Sequence, residues 1–114
     1  MLREDIKIND NTKKFSKELE DILQTIYDPE IELDIYNLGL IYEILISNDG
    51  HCDFVMTFTD ASCNCAETMP PEIVEKLKTI EGINSVTVQI VWNPVWKMTR
   101  ISRIGRITLG ISPR

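Results

Sequence analysis

The tripeptide Asn48-Asp49-Gly50 constrains the fold of this chain more than any other feature. Asn or Asp followed by Gly tolerates the positive φ angles of a tight hairpin turn. The segments on either side read as strands. Leu40 to Ile46 is rich in β-branched and aromatic residues. From Cys52 to Thr59, Cys52, Phe54, Met56 and Phe58 alternate with Asp53, Val55, Thr57 and Thr59. An antiparallel pair with one apolar face needs a cover for that face.

Two amphipathic segments supply it. Phe15, Leu19, Ile22, Leu23 and Ile26 share one face of a helix expected over 12–27, capped by Asn11 or Thr12 and stopped before Pro29. Met69, Ile73, Leu77 and Ile80 share one face of a second helix that ends at Gly82. Pro70 and Pro71 suit only a first turn, so a start near Ala66 implies distortion at Pro70. Ile83 to Trp92 reads as a third strand with Val86, Val88, Ile90 and Trp92 on one face, broken by Asn93-Pro94. The segment DPEIELDIYNLGL, from Asp28 to Leu40, reads as an irregular connection leading into the first strand of the hairpin. Ser102 and Gly110 bracket a short terminal helix, Arg103 to Leu109. Large aromatics at a strand exit usually pack, so Trp92, Pro94 and Trp96 are expected to be partly buried.

The resulting fold class is α/β (α+β), in the order α-β-β-α-β with a short C-terminal helix. A hairpin plus a third strand reached across a helix gives a mixed three-stranded sheet, with the helices packed on one face. Residues 1–11 read as a flexible N-terminus and 12–114 as a single domain. With 114 residues and 43% hydrophobic content, the chain suits one self-sufficient core.

Charge and cysteine usage narrow the function. Glu18 to Glu75 holds fourteen acids and no Lys or Arg, whereas Ile83 onward holds five bases and no acid. An acidic body repels phosphate, which argues against nucleic-acid binding. The basic tail suits the chain's own acidic body or an acidic partner. There is no apolar leader and no membrane span, so a cytoplasmic location is expected. Three cysteines in that compartment are buried hydrophobes, reactive thiols or metal ligands rather than a disulfide framework.

The segment DASCNCA, residues Asp60 to Ala66, lies between a strand end and a helix start. Outward-facing N–H groups at a helix N-terminus favour a thiolate, so Cys63 suits a nucleophile or a metal ligand. Cys65 either assists or turns into the core. Cys52, among Phe54, Met56 and Phe58, reads as a buried hydrophobe. Three cysteines and one histidine do not readily make a closed four-ligand site. An incomplete site, finished by a second subunit, a partner or a small thiol, holds a cluster loosely enough to pass it on. A Cys63–His51 dyad is excluded, because the turn lies at the far end of the strand from Cys63. Asp28, Glu30, Glu32 and Asp34 offer oxygen ligands, or simply form a solvated connection.

Four segments taken in order resemble the SufT/PaaD-like metal–sulfur cluster assembly factors, a family that includes the eukaryotic cytosolic iron–sulfur targeting subunits. They are DPEIELDIYNLGLIYEI, MTFTDASC, VWNPVW and ISRIGRITLGI, and the resemblance spans about residues 15–111. It implies a compact α/β domain that matures iron–sulfur proteins. The family's motif cysteine falls on Cys63, its acidic element on Asp28, Pro29 and Glu30, and its threonine-rich strand end on Thr57 and Thr59. Two departures stand out. The family's Gly-Cys-Pro is here Ser62-Cys63-Asn64 with Cys65 added, and the cysteine-rich C-terminal extension of the phenylacetate branch is missing.

The expectation is a non-enzymatic factor that binds a cluster or iron transiently through Cys63, with Cys65 assisting. Thr59, Asp60, Asp28 and Glu30 would shape the site, and the cargo would be lost on aerobic purification. Expected partners are the iron–sulfur assembly machinery and client apo-proteins, with a homodimer compatible and with no nucleic acid or membrane. Two rival classes remain: a thiol redox enzyme or switch using Cys63, and an adaptor that binds clients through its Trp-rich C-terminal segment.

Overall fold

The structure is a computed structural model. It describes residues 2–28, 31–59 and 65–110, except the side chains of residues 65 and 66. The elements run β1 (Lys7–Ile8), α1 (Asp10–Lys13), α2 (Ser16–Leu23), α3 (Ile35–Leu38), β2 (Ile41–Ile46), β3 (His51–Met56), α4 (Cys65–Leu77), β4 (Ser85–Ile90) and α5 (Arg103–Leu109), with a 3-10 turn at Met98–Arg100 before α5. The sheet order is β1-β2-β3-β4. The β2–β3 hairpin is antiparallel, and the outer strands β1 and β4 each pair parallel to their neighbours.

The mixed α/β class follows the sequence, but the sheet has four strands rather than three. The extra strand, β1, is two residues long, too short to show any periodicity. It belongs to the segment expected to be flexible. There, Leu2 and Ile6 are buried, and the Arg3 guanidinium donates to the carbonyl of Tyr36 at 2.8 Å and to that of Arg100 at 2.6 Å. Two isolated apolar residues in a polar stretch carry no pattern; their burial is a tertiary outcome.

The single helix expected over 12–27 is instead two. Asn9 caps α1, with its side-chain oxygen accepting from the Thr12 N–H at 2.9 Å. The Thr12 hydroxyl, fully buried, also reaches the Ile44 carbonyl at 2.7 Å and ties α1 to β2. The chain leaves helical geometry at Phe15 and restarts at Ser16. Leu19, Leu23 and Ile26 are fully buried, and Phe15 and Ile22 pack against the core from half-buried positions.

The apolar face of the sheet is continuous. Ile44 faces Phe54 and Ile46 faces Cys52 across the hairpin, while Phe54 faces Val88 and Met56 faces Ile90. A bulge between Ile41 and Glu43 turns both Ile41 and Ile44 inward despite their odd spacing. Met69, Ile73, Leu77 and Ile80 of the α4 region are buried as the helical spacing requires. The opposite face carries Glu43, Asp53, Thr87 and Gln89.

Two local expectations change. The connection before β2 contains a helical turn, α3, which Asp34 caps by accepting from the Asn37 N–H at 2.9 Å and which Gly39 ends at φ 77°. The prolines of α4 lie inside the helix rather than in its first turn, because α4 begins at Cys65. Each proline removes one backbone donor, so the helix holds through its packing rather than an unbroken ladder. The terminal helix α5 is as expected, with the Ser102 hydroxyl accepting from the Gly105 N–H at 3.0 Å and Gly110 at φ 78°.

Candidate functional site

Thr57 and Thr59 lie just past Met56, where β3 ends away from the hairpin turn, and Asp28 lies between α2 and α3. Asp28 and Thr59 fall among the described residues. Glu30, Asp60 and Cys63 lie outside them, as do Pro29 and the side chain of Cys65.

Asp28 begins a tight turn. It is 2% exposed, and its Oδ1 accepts from the Ile31 N–H at 3.0 Å while its own N–H donates to Leu33 at 3.1 Å. A buried carboxylate folding back on its own turn fixes the path of the acidic connection. Thr57 and Thr59 follow β3. Thr57 is fully buried and Thr59 half-buried.

Three backbone hydrogen bonds connect these two regions. Thr57 donates to Leu40 at 2.9 Å, Leu40 to Ile35 at 3.3 Å, and Ile35 to Ile26 at 2.8 Å. Tyr27 and Asp34 form an isolated antiparallel bridge beside them. The acidic turn is thereby stitched to the strand end, although the two are nearly thirty residues apart in sequence.

The C-terminal segment braces this arrangement. Ser102 donates its N–H to the Asn37 carbonyl at 2.8 Å and its hydroxyl to Asn37 Oδ1 at 2.7 Å. A Cβ on Gly105 would meet Leu33 Cδ2 at 2.8 Å, so α5 lies directly against the acidic connection. Trp96 is half-buried, with its indole N–H donating to the Leu38 carbonyl at 2.7 Å. Trp92 meets Phe58 with ring centroids 6.1 Å apart, yet stays 46% exposed. Pro94 is exposed rather than partly buried; the contact there is made by its carbonyl, which accepts from the Tyr42 hydroxyl at 2.6 Å.

Thr57 is the residue that sequence reasoning undervalued. Its hydroxyl is buried and has no hydrogen-bond partner among the described residues. Burying a hydroxyl without a partner costs about 1–3 kcal/mol. Its place in the alternating strand and in the family's threonine-rich strand end marked it, but neither reports whether its hydroxyl is satisfied.

The other candidate groups separate clearly. Cys52 is fully buried, and burial pushes its thiol up to about 12, as a structural cysteine requires. His51 opens β3 at the hairpin end, its Nδ1 2.6 Å from the Ser85 hydroxyl and its Nε2 3.1 Å from that of Thr87. Among the described residues, no three His, Cys, Asp or Glu side chains come together as a metal site. No helix among them is long and apolar enough to cross a membrane.

Comparison with known proteins is decisive at this point. A family profile described as iron–sulfur cluster assembly protein matches residues 16–90. The chain belongs to the iron–sulfur cluster assembly protein family. That match contains the acidic connection and the threonine-rich strand end but stops before the VWNPVW segment. The chain is 37% identical over 89 residues to the Fe-S protein maturation auxiliary factor YitW of Bacillus subtilis, covering 78% of this chain and 87% of that protein. It is 38% identical over 91 residues to the Fe-S protein maturation auxiliary factor SufT of Staphylococcus aureus, covering 76% and 99%. In structure it is similar to a domain of unknown function, DUF59, from Bacillus anthracis, with a TM-score of 0.81, 33% identity and coverage of 90% and 99%.

Proposed function

We propose that this chain carries an iron–sulfur cluster, or iron, as cargo on Cys63 in the cytoplasm and hands it from the assembly machinery to client apo-proteins. Thr59, Asp60, Asp28 and Glu30 shape the site, and Cys65 assists as a second thiol. The role is that of a carrier and not an enzyme: the Cys63 sulfur gives up its proton to bind the cargo and regains it on release. The observation that supports this reading is the stitching of the Asp28 turn to the Thr57–Thr59 strand end, immediately before the chain reaches the cysteines. One or two thiolates leave coordination positions for a partner to fill, which suits transfer.

Anaerobic reconstitution with iron and sulfide, read by absorption spectra and iron counting, tests the reading. Cys63→Ser is expected to abolish binding. Cys52→Ser is expected to leave it intact, because that thiol is buried and protonated. Cys65→Ser should fall between. Equal iron content in wild type and Cys63→Ser defeats the proposal. Thiol turnover without iron would instead favour the redox class.

A second reading rests on its own observation. Val95 is 68% exposed, Ile104 69% and Ile107 59%, all on the acid-free C-terminal stretch. These side chains fit contact with an acidic, apolar client surface, a role that would survive Cys63 replacement.

A further inference from the structure

The outer edge of β4 differs from ordinary sheet edges. Exposed edges are usually blunted by lysine, proline, a bulge or short length. The other edge strand, β1, is only two residues long and carries Lys7. β4 is six residues of Ser-Val-Thr-Val-Gln-Ile, with no charge, no proline and an unshifted register.

The backbone groups on that edge with no strand partner among the described residues can be identified. Val91 donates to the Met56 carbonyl at 2.9 Å, so residue 91 turns its backbone groups toward β3. Successive residues of a strand face alternate edges. Ser85, Thr87 and Gln89 therefore bond to β3, while Val86, Val88 and Ile90 point their N–H and C=O groups outward. The same three residues carry their side chains on the helix-covered face, opposite Cys52, Phe54 and Met56.

A groove of about 610 Å³ runs beside this edge, lined by Pro70, Pro71, Val74, Glu75 and Lys78 of the α4 region together with Val88. Its floor is apolar, and its rim carries one acid and one base a single helical turn apart.

We propose that this edge and groove join two copies of the chain by antiparallel β4–β4 pairing centred on Val88. The sequence is self-complementary in that register. Val88 pairs with Val88 of the second copy and Val86 with Ile90, and each pair exchanges both of its outward-facing hydrogen bonds. All the paired side chains fall on the helix-covered face, so the two apolar faces become one. A shift by one residue would set Thr87 against Val88 and lose both matches. The two-fold axis also runs the helices antiparallel, which brings Glu75 of each copy toward Lys78 of the other. An isologous contact repeats each such pair twice. The joined sheet carries its two Thr57–Thr59 strand ends in opposite directions, so each copy binds cargo on its own.

Sedimentation velocity on the full chain, under reducing conditions and from micromolar to millimolar concentration, tests this. A reversible monomer–dimer equilibrium is expected. Val88→Pro removes an outward N–H without touching a bond to β3, and should give a monomer. Glu75→Lys and Lys78→Glu are exposed changes that leave folding alone. Each should weaken the dimer by roughly tenfold through two symmetric like-charge contacts, and the double swap should restore it. A monomer at every concentration overturns the proposal, including one that pairs with an added extended peptide, since the edge would then belong to another chain. So does a dimer that is indifferent to the charge swaps.

Discussion

At the hairpin end of the sheet, polar groups are consumed by the fold; at the other end, one of them is left over. Asn84 donates its backbone N–H to the Gly50 carbonyl at 2.8 Å and its side-chain amide to Asp49 at 2.7 Å. Asn9 and Asn11 both donate to the Ile46 carbonyl, at 3.0 and 3.1 Å. The Ser47 hydroxyl donates to Asp49 and, more than any other cause, holds that carboxyl below the usual carboxylate range. At the far end, Asp28 is buried in its own turn, and the Thr57 hydroxyl finds no partner among the described residues. A buried hydroxyl without a partner calls for a reason, and the proposed cargo site at that end offers one.

Glycine substitutions should break this contrast most forcefully. Gly50 sits at φ 90°, and an added Cβ would lie 2.5 Å from the Gly82 carbonyl oxygen. Gly39 sits at φ 77°, and its Cβ would lie 2.5 Å from the Arg100 carbonyl oxygen. Left-handed backbone and a clash with main chain together should cost Gly50→Ala and Gly39→Ala about 2–4 kcal/mol each in urea unfolding. Only Gly39→Ala should also change the near-ultraviolet signal of Trp96, because the neighbouring Leu38 carbonyl holds that indole and Arg100 Nε donates to the Gly39 carbonyl at 2.7 Å. Equal spectral changes from both variants would mean that the two ends are not independent.

Asn84→Ala is the milder probe of the hairpin end. It deletes one side-chain hydrogen bond at an exposed turn, and about 0.5–1.5 kcal/mol is expected. Iron binding in the reconstituted protein should stay unchanged. A loss of binding would show that the hairpin end matters to the site after all.

Much of this was legible from local pattern. The hairpin, the faces of α2 and α4, the strand β4 and the capped helix α5 each rest on periodicity or on a cap within a few residues. What escaped has a tertiary cause. β1 exists because β2 offers it a parallel edge, and Leu2 and Ile6 are buried only after the core is assembled. At the break, the Phe15 ring lies against Gly82, where an added Cβ would come within 3.0 Å of it. The helical turn α3 was hidden in an acidic stretch, although Asp34 and Gly39 are its cap and stop. At the candidate site, Asp28 and the threonines could be named from motif, but the hydrogen bonds that run from Thr57 through Leu40 and Ile35 to Ile26 span distant residues and leave no sequence signature.

Thr57→Val sharpens the comparison through the smallest expected effect on stability. Valine keeps the branched shape and removes the hydroxyl. Elsewhere that change destabilises when it orphans a partner, but the Thr57 hydroxyl leaves none behind among the described residues. The desolvation cost of the hydroxyl disappears with it, so stability should hold or rise by about 1 kcal/mol. If the strand end serves cargo, the same variant should bind less iron on anaerobic reconstitution and lose it faster to a chelator. Thr12→Val supplies the control. That hydroxyl is equally buried but donates to the Ile44 carbonyl at 2.7 Å, so its loss should destabilise by about 1–3 kcal/mol without lowering iron retention in the folded fraction. Should Thr57→Val destabilise as Thr12→Val does and retain iron as wild type does, Thr57 is a structural residue, and the two ends of the sheet differ in shape alone.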